Sequence, residues 1–137
     1  MSEALARRLS RAALLAASWL LLAAVAQAAT PISVTASPTT VSRGQKVTFR
    51  GSGWGVIEFC KPRVTLTLKR SLPFGPLPMA TVNLRTAPKT SGTFSTSWVV
   101  PASVHSGLRT IVATQRCESG KNGSLVLITR STTVRVR

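Results

Sequence analysis

Along most of the chain after position 30, apolar and polar side chains alternate residue by residue, the period of a half-buried strand. Ile32, Val34 and Ala36 form a first alternating run that Pro38 stops. Val47 and Phe49 alternate with Lys46, Thr48 and Arg50 in a second, after the Arg43-Gly44 turn. Val64, Leu66 and Leu68 alternate with Arg63, Thr65, Thr67 and Lys69 in a third, the cleanest of the series. Residues 71–78 carry three prolines and a glycine and read as a loop. Ala80, Val82 and Leu84 mark a fourth run, and Phe94, Trp98 and Val100 a fifth that Pro101 ends. Gly107 opens a sixth, Leu108 to Arg116, and Leu125 to Val136 is the seventh. No 3.6-residue apolar stripe appears in this part. About seven short strands at this spacing predict an all-β chain folded as a two-sheet antiparallel β-sandwich.

The first 28 residues follow a different pattern. Arg7, Arg8 and Arg11 precede an apolar run of alanine and leucine from Ala12 to Val25, and Ala26-Gln27-Ala28 has the small-x-small form of a cleavage site. Residues 1–28 therefore read as a helical signal peptide, cleaved near Ala28, with one domain spanning residues 29–137. Retention as an anchor is the alternative, although the run is barely long enough to span a bilayer. The expected location of the domain is secreted or periplasmic.

Composition adds a charge and a redox argument. The chain of 137 residues has 18 Lys and Arg against three acids and no Asp, a net charge of +15. Loss of the leader removes three arginines and Glu3 and leaves +13. So lopsided a charge favours anionic partners and weakens with salt, and it bears on partners rather than on fold. Cys60 and Cys117 are the only cysteines; in an oxidising compartment an even count points to a disulfide, with two free thiols as the alternative. With His105 as the single histidine they cannot supply a four-ligand zinc site, so no metal or cofactor is expected.

The residues of hydrolytic chemistry are almost absent, and an enzyme is not expected. Outside the leader the carboxylates are Glu58 and Glu118, each near a cysteine. They read as solvated loop residues rather than the paired acids that glycoside chemistry needs. His105, with Ser103 and Ser106, lacks an Asp to orient it and a nucleophile-elbow pattern. Asn122-Gly123-Ser124 is formally a glycosylation sequon but reads as a tight turn.

The run VTASPTTVSRGQKVTFRGSGW (34–54) resembles the opening of bacterial extracellular immunoglobulin-like domains, and SGTFSTSWVVPASVHSGLRTIVATQRC (91–117) resembles their later strands and turns. More distantly the chain is similar to the chromoprotein apoproteins, such as neocarzinostatin. The resemblance implies an immunoglobulin-like sandwich and an extracellular compartment, without implying a ligand. One position departs from the family: Arg109 stands where a tyrosine often makes a corner hydrogen bond, so that bond must be absent or replaced. In such a sandwich the third and sixth runs are antiparallel neighbours, which brings Cys60 beside Cys117 within bonding reach.

Two surfaces then become candidates. Inward Val64, Leu66, Leu68, Ile111, Ala113, Val134 and Val136 leave an outer face of threonines with Arg63, Lys69, Arg116, Arg135 and Arg137, suited to tracking a polyanion. The plainer reading is a solvated face that discourages edge pairing. The second surface is the loop end beside the cysteines, with Trp54, Ile57, Phe59, Lys61 and Lys121; there Trp54 also reads as a core cap, and Phe74 at the opposite end as a lid. Expected partners are an anionic polysaccharide, lipopolysaccharide or a cell-surface protein. Nucleic acid is disfavoured, because no aromatic is interleaved with the bases for stacking. The function so read is a non-enzymatic binding module; a small-molecule carrier of the chromoprotein-apoprotein type is the alternative.

Overall fold

The computed structural model describes residues 31–87, 89, 91–119 and 123–137. The expected signal peptide, Lys121 and Asn122 lie outside the described residues. Eight strands follow in order: β1 (Ser33–Ser37), β2 (Thr40–Val41), β3 (Lys46–Ser52), β4 (Arg63–Leu68), β5 (Leu77–Asn83), β6 (Phe94–Val99), β7 (Gly107–Glu118) and β8 (Leu125–Val136). One sheet has the order β1-β3-β6 and the other β2-β8-β7-β4-β5. The chain is an all-β, two-sheet sandwich.

The seven alternating runs are all strands, and the eighth is an addition. Pro38 ends β1, after which Thr40 and Val41 pair in parallel with Arg135 and Val136 on the far sheet. The amides of Arg135 and Arg137 donate to the carbonyls of Thr39 and Val41 at 2.8 and 2.9 Å. This one parallel pair departs from the antiparallel sandwich that the runs predicted. A two-residue strand has no period to read, and only buried Val41 marks it. The fourth run also starts earlier, at Leu77, and takes in Pro78. Pro lacks the amide that a central strand would need, and β5 tolerates it as the outermost strand of its sheet.

The interior is formed by the inward half of each alternation. Val47, Phe49 and Phe94 from one sheet meet Val64, Leu66, Leu68, Ile111, Ala113, Val134 and Val136 from the other, all buried. The close packing of β3 and β6 depends on Gly51, which is paired with Phe94. A Cβ at Gly51 would overlap the Phe94 ring, so glycine is what lets that ring cross the strand and reach Trp54, with centroids 6.2 Å apart. Cys60 and Cys117 form a disulfide, their Cα atoms 3.9 Å apart. Cys117 lies within β7, which runs past Arg116 to Glu118. The bond therefore ties the β3–β4 connection to a strand rather than to the loop after it.

Candidate functional site

The outer face of the larger sheet is organised by register. Thr65 pairs with Thr81 on β5 and Thr114 on β7, and Thr114 pairs in turn with Thr129 on β8. Thr110 pairs with Thr133 in the same way. Direct cross-strand partners share a face, so these hydroxyls form two bands across the sheet. The cations lie toward its two ends.

At the disulfide end the β3–β4 connection folds back onto β7. Lys61 donates its amide to the Arg116 carbonyl at 2.9 Å, and Glu118 donates its own to the Phe59 carbonyl at 2.7 Å. These bonds and the disulfide bring Lys61, Arg63 and Arg116 around a groove of about 210 Å³. Thr65 and Thr114 also line it, with Phe59, Leu125 and Glu118. Lys61, Arg63 and Arg116 are exposed and Phe59 is 52% exposed. Lys69 lies at the other end, where it lines a second polar hollow with Arg70, Arg109 and Thr110. Arg135 is opposite Leu108 at that end and Arg137 follows it, both exposed. The single field of charges expected from the alternation is thus two groups, separated along the strands by hydroxyls. Phe59 and Lys61, read from the sequence as part of a separate loop surface, belong to the same groove as Arg63 and Arg116.

Trp54 does not belong to that surface: it is 3% exposed and caps the core. An indole gains most from burial when its one N–H finds an acceptor, and its Nε1 donates to the Ser33 carbonyl at 3.0 Å. Ile57 is exposed on the connection. Phe74, read as a lid, is 74% exposed instead. The Gly75 turn and two hydrogen bonds from Arg70, Nε to the Gly75 carbonyl and Nη2 to that of Phe74, hold its loop away from the core. The Arg70 guanidinium lies 6.0 Å from the Phe74 ring centroid.

Two residues position these loops, of which sequence reasoning passed over the first. Gln115 is fully buried. Its Nε2 donates to the carbonyls of Gly55 and Lys61 at 2.6 and 3.0 Å, and its Oε1 accepts from the Gly55 amide at 3.2 Å. It thereby sets the height of the β3–β4 connection above the sheet. The signal was available, because Gln115 shares the inward parity of Ile111, Ala113 and Cys117. The second residue is Arg109, the position at which the sequence resemblance left a corner bond open. Its Nε donates to the His105 carbonyl at 2.9 Å and its Nη2 to that of Ser106 at 2.7 Å.

Neither Glu58 nor Glu118 is buried, and both face solvent, as does His105. Among the described residues no group of three or more His, Cys, Asp or Glu side chains could hold a metal ion, and no helix is long and apolar enough to cross a membrane.

No family model matches the chain, and no curated protein matches it. Among solved structures it is similar to a cellulose-active polysaccharide monooxygenase from M. thermophila at 10% identity and a TM-score of 0.47, over 72% of this chain and 53% of that one. It is also similar to neutral ceramidase from Pseudomonas aeruginosa at 14% identity and a TM-score of 0.49, over 82% of this chain and 20% of the enzyme. The chain thus spans about half the length of the first and a fifth of the second, and neither similarity carries an activity to it.

Proposed function

We propose that this chain is an exported, non-enzymatic binding module of immunoglobulin-like design, and that it takes an anionic polysaccharide along the groove between β4 and β7. The observation that carries the reading is the convergence of Lys61, Arg63 and Arg116 on one groove that Thr65, Thr114 and Phe59 also line, three cations against the single carboxylate of Glu118. Three cations around a hollow lined with hydroxyls suit a polymer bearing carboxylate or sulfate beside neutral hydroxyls. The exposed Phe59 ring offers the flat apolar surface on which a sugar ring packs. The disulfide and Gln115 hold one wall of the groove in place, so less ordering is needed on binding. A disulfide also fits an oxidising compartment outside the cytoplasm.

Retention on immobilised heparin, eluted with rising salt, tests this reading. The triple variant Lys61→Gln, Arg63→Gln, Arg116→Gln is expected to elute at clearly lower salt than the parent. The variant Arg50→Gln, Arg85→Gln, Lys89→Gln removes the same charge elsewhere and is expected to elute close to the parent. Equal displacement of the two variants would mean that net charge alone acts, and the groove would lose its role.

A further inference from the structure

The loops at the end of the sandwich remote from the disulfide enclose a cleft that the polymer groove does not use. It measures about 320 Å³ and lies between the β4–β5 and β6–β7 connections. That volume falls at the lower end of the range for small-molecule pockets. Leu72, Phe74, Leu77 and Val104 give it apolar walls, and Arg70 and Arg109 lie at its margin. Leu72 is 90% exposed and Phe74 74%, so two large apolar side chains border a hollow without being covered by the fold.

The two arginines give the cleft a definite chemistry. Each guanidinium is pinned through Nε and Nη2 to backbone carbonyls of the loop it borders: Arg70 to Gly75 and Phe74, Arg109 to His105 and Ser106. Each keeps its Nη1 hydrogens outside those bonds. A guanidinium already fixed by its own backbone binds an anion with less loss of side-chain freedom than a mobile lysine. Lys69, beside Arg70 and Arg109 in the neighbouring hollow, adds a third positive charge. The described side chains lining the cleft include no carboxylate to repel an anion.

We infer that this cleft binds a small amphipathic anion, a medium-chain or aromatic carboxylate, with its apolar part between Leu72, Phe74 and Val104 and its carboxylate on Arg70 and Arg109. Octanoate is a suitable probe, followed by amide chemical shifts of the isotopically labelled protein. Saturable shifts are expected for residues 70–77 and 103–109, with 1-octanol binding more weakly because it lacks the charge. The variant Leu72→Ser, Phe74→Ala changes only exposed side chains and is expected to weaken octanoate binding about tenfold or more. Its heparin retention should be unchanged, so this inference and the polysaccharide reading can fail separately. Shifts spread over all the basic residues, no saturation, or undiminished binding to the Leu72→Ser, Phe74→Ala variant would overturn the assignment.

Discussion

A guanidinium in a chain with so few carboxylates has to find other acceptors, and among the described residues four of them find backbone carbonyls. Arg43 donates to Val104 at 2.7 Å and Arg130 to Ile32 at 3.2 Å, beside the bonds of Arg70 and Arg109 already described. Two of the four, Arg43 and Arg109, fasten the β6–β7 connection, at Val104 and at His105 and Ser106. Arg109→Leu is expected to destabilise the protein by about 1–3 kcal/mol, since two charge-assisted bonds go and two carbonyls lose a donor. Arg109→Lys should recover only part of that, because an ammonium cannot reproduce the planar fork that reaches both carbonyls. Urea midpoints at unchanged slope measure both variants, and full recovery by lysine would show that charge rather than geometry matters. Gln115 is the more costly position. Gln115→Leu keeps the bulk but removes the hydrogen-bond partners of Gly55 and Lys61, a loss of about 3 kcal/mol. Because those bonds hold one wall of the groove, heparin retention should fall with it.

At the scale of strands, alternation was a sound guide wherever a run had at least three inward residues. Val64, Leu66 and Leu68 face the core as their spacing implies, and so do Ile111 with Ala113 and Val134 with Val136. What alternation could not supply is long-range placement. Arg63 and Arg116 share a face through the β4–β7 ladder, as the alternation implied, but Lys61 and Phe59 join them only through the fold-back of the β3–β4 connection, which no spacing in the sequence shows. β2 escaped notice because it is too short to alternate. Pro78 hid the start of β5, since proline reads as an interruption unless the strand is known to lie at an edge. Two element-scale outcomes follow from the packing. Gly51→Ala pushes a methyl group into the Phe94 ring and is expected to lower stability by about 1–3 kcal/mol, the cost of overpacking a core. Replacing both Cys60 and Cys117 by serine opens a link across 57 residues, and the chain-entropy account puts the loss at about 4 kcal/mol. Differential scanning calorimetry compares the two, and the disulfide variant should show the lower midpoint.

For the molecule as a whole, a net charge of +15 sets the sign of the salt dependence. Many folded proteins gain some stability from attraction between opposite charges, and for them added salt removes a favourable contribution. Here the arginine bonds run to neutral carbonyls, which screening weakens little, while the cations repel one another over distances that screening shortens effectively. Folding concentrates these cations on one compact surface, so self-repulsion is greater in the native state than in the expanded chain. Raising sodium chloride from about 0.01 M to about 0.15 M shortens the screening length from roughly 30 Å to roughly 8 Å and is therefore expected to raise the midpoint of thermal unfolding. Heparin at low salt should raise it further, because a ligand that binds the native state stabilises that state by mass action. The added increment should vanish as salt displaces the polymer and should be small in the Lys61→Gln, Arg63→Gln, Arg116→Gln variant. A midpoint that falls with salt would mean that attraction, not repulsion, dominates the charge interactions of this fold. A heparin increment equal in parent and variant would mean that the polymer reads the overall charge and not the groove.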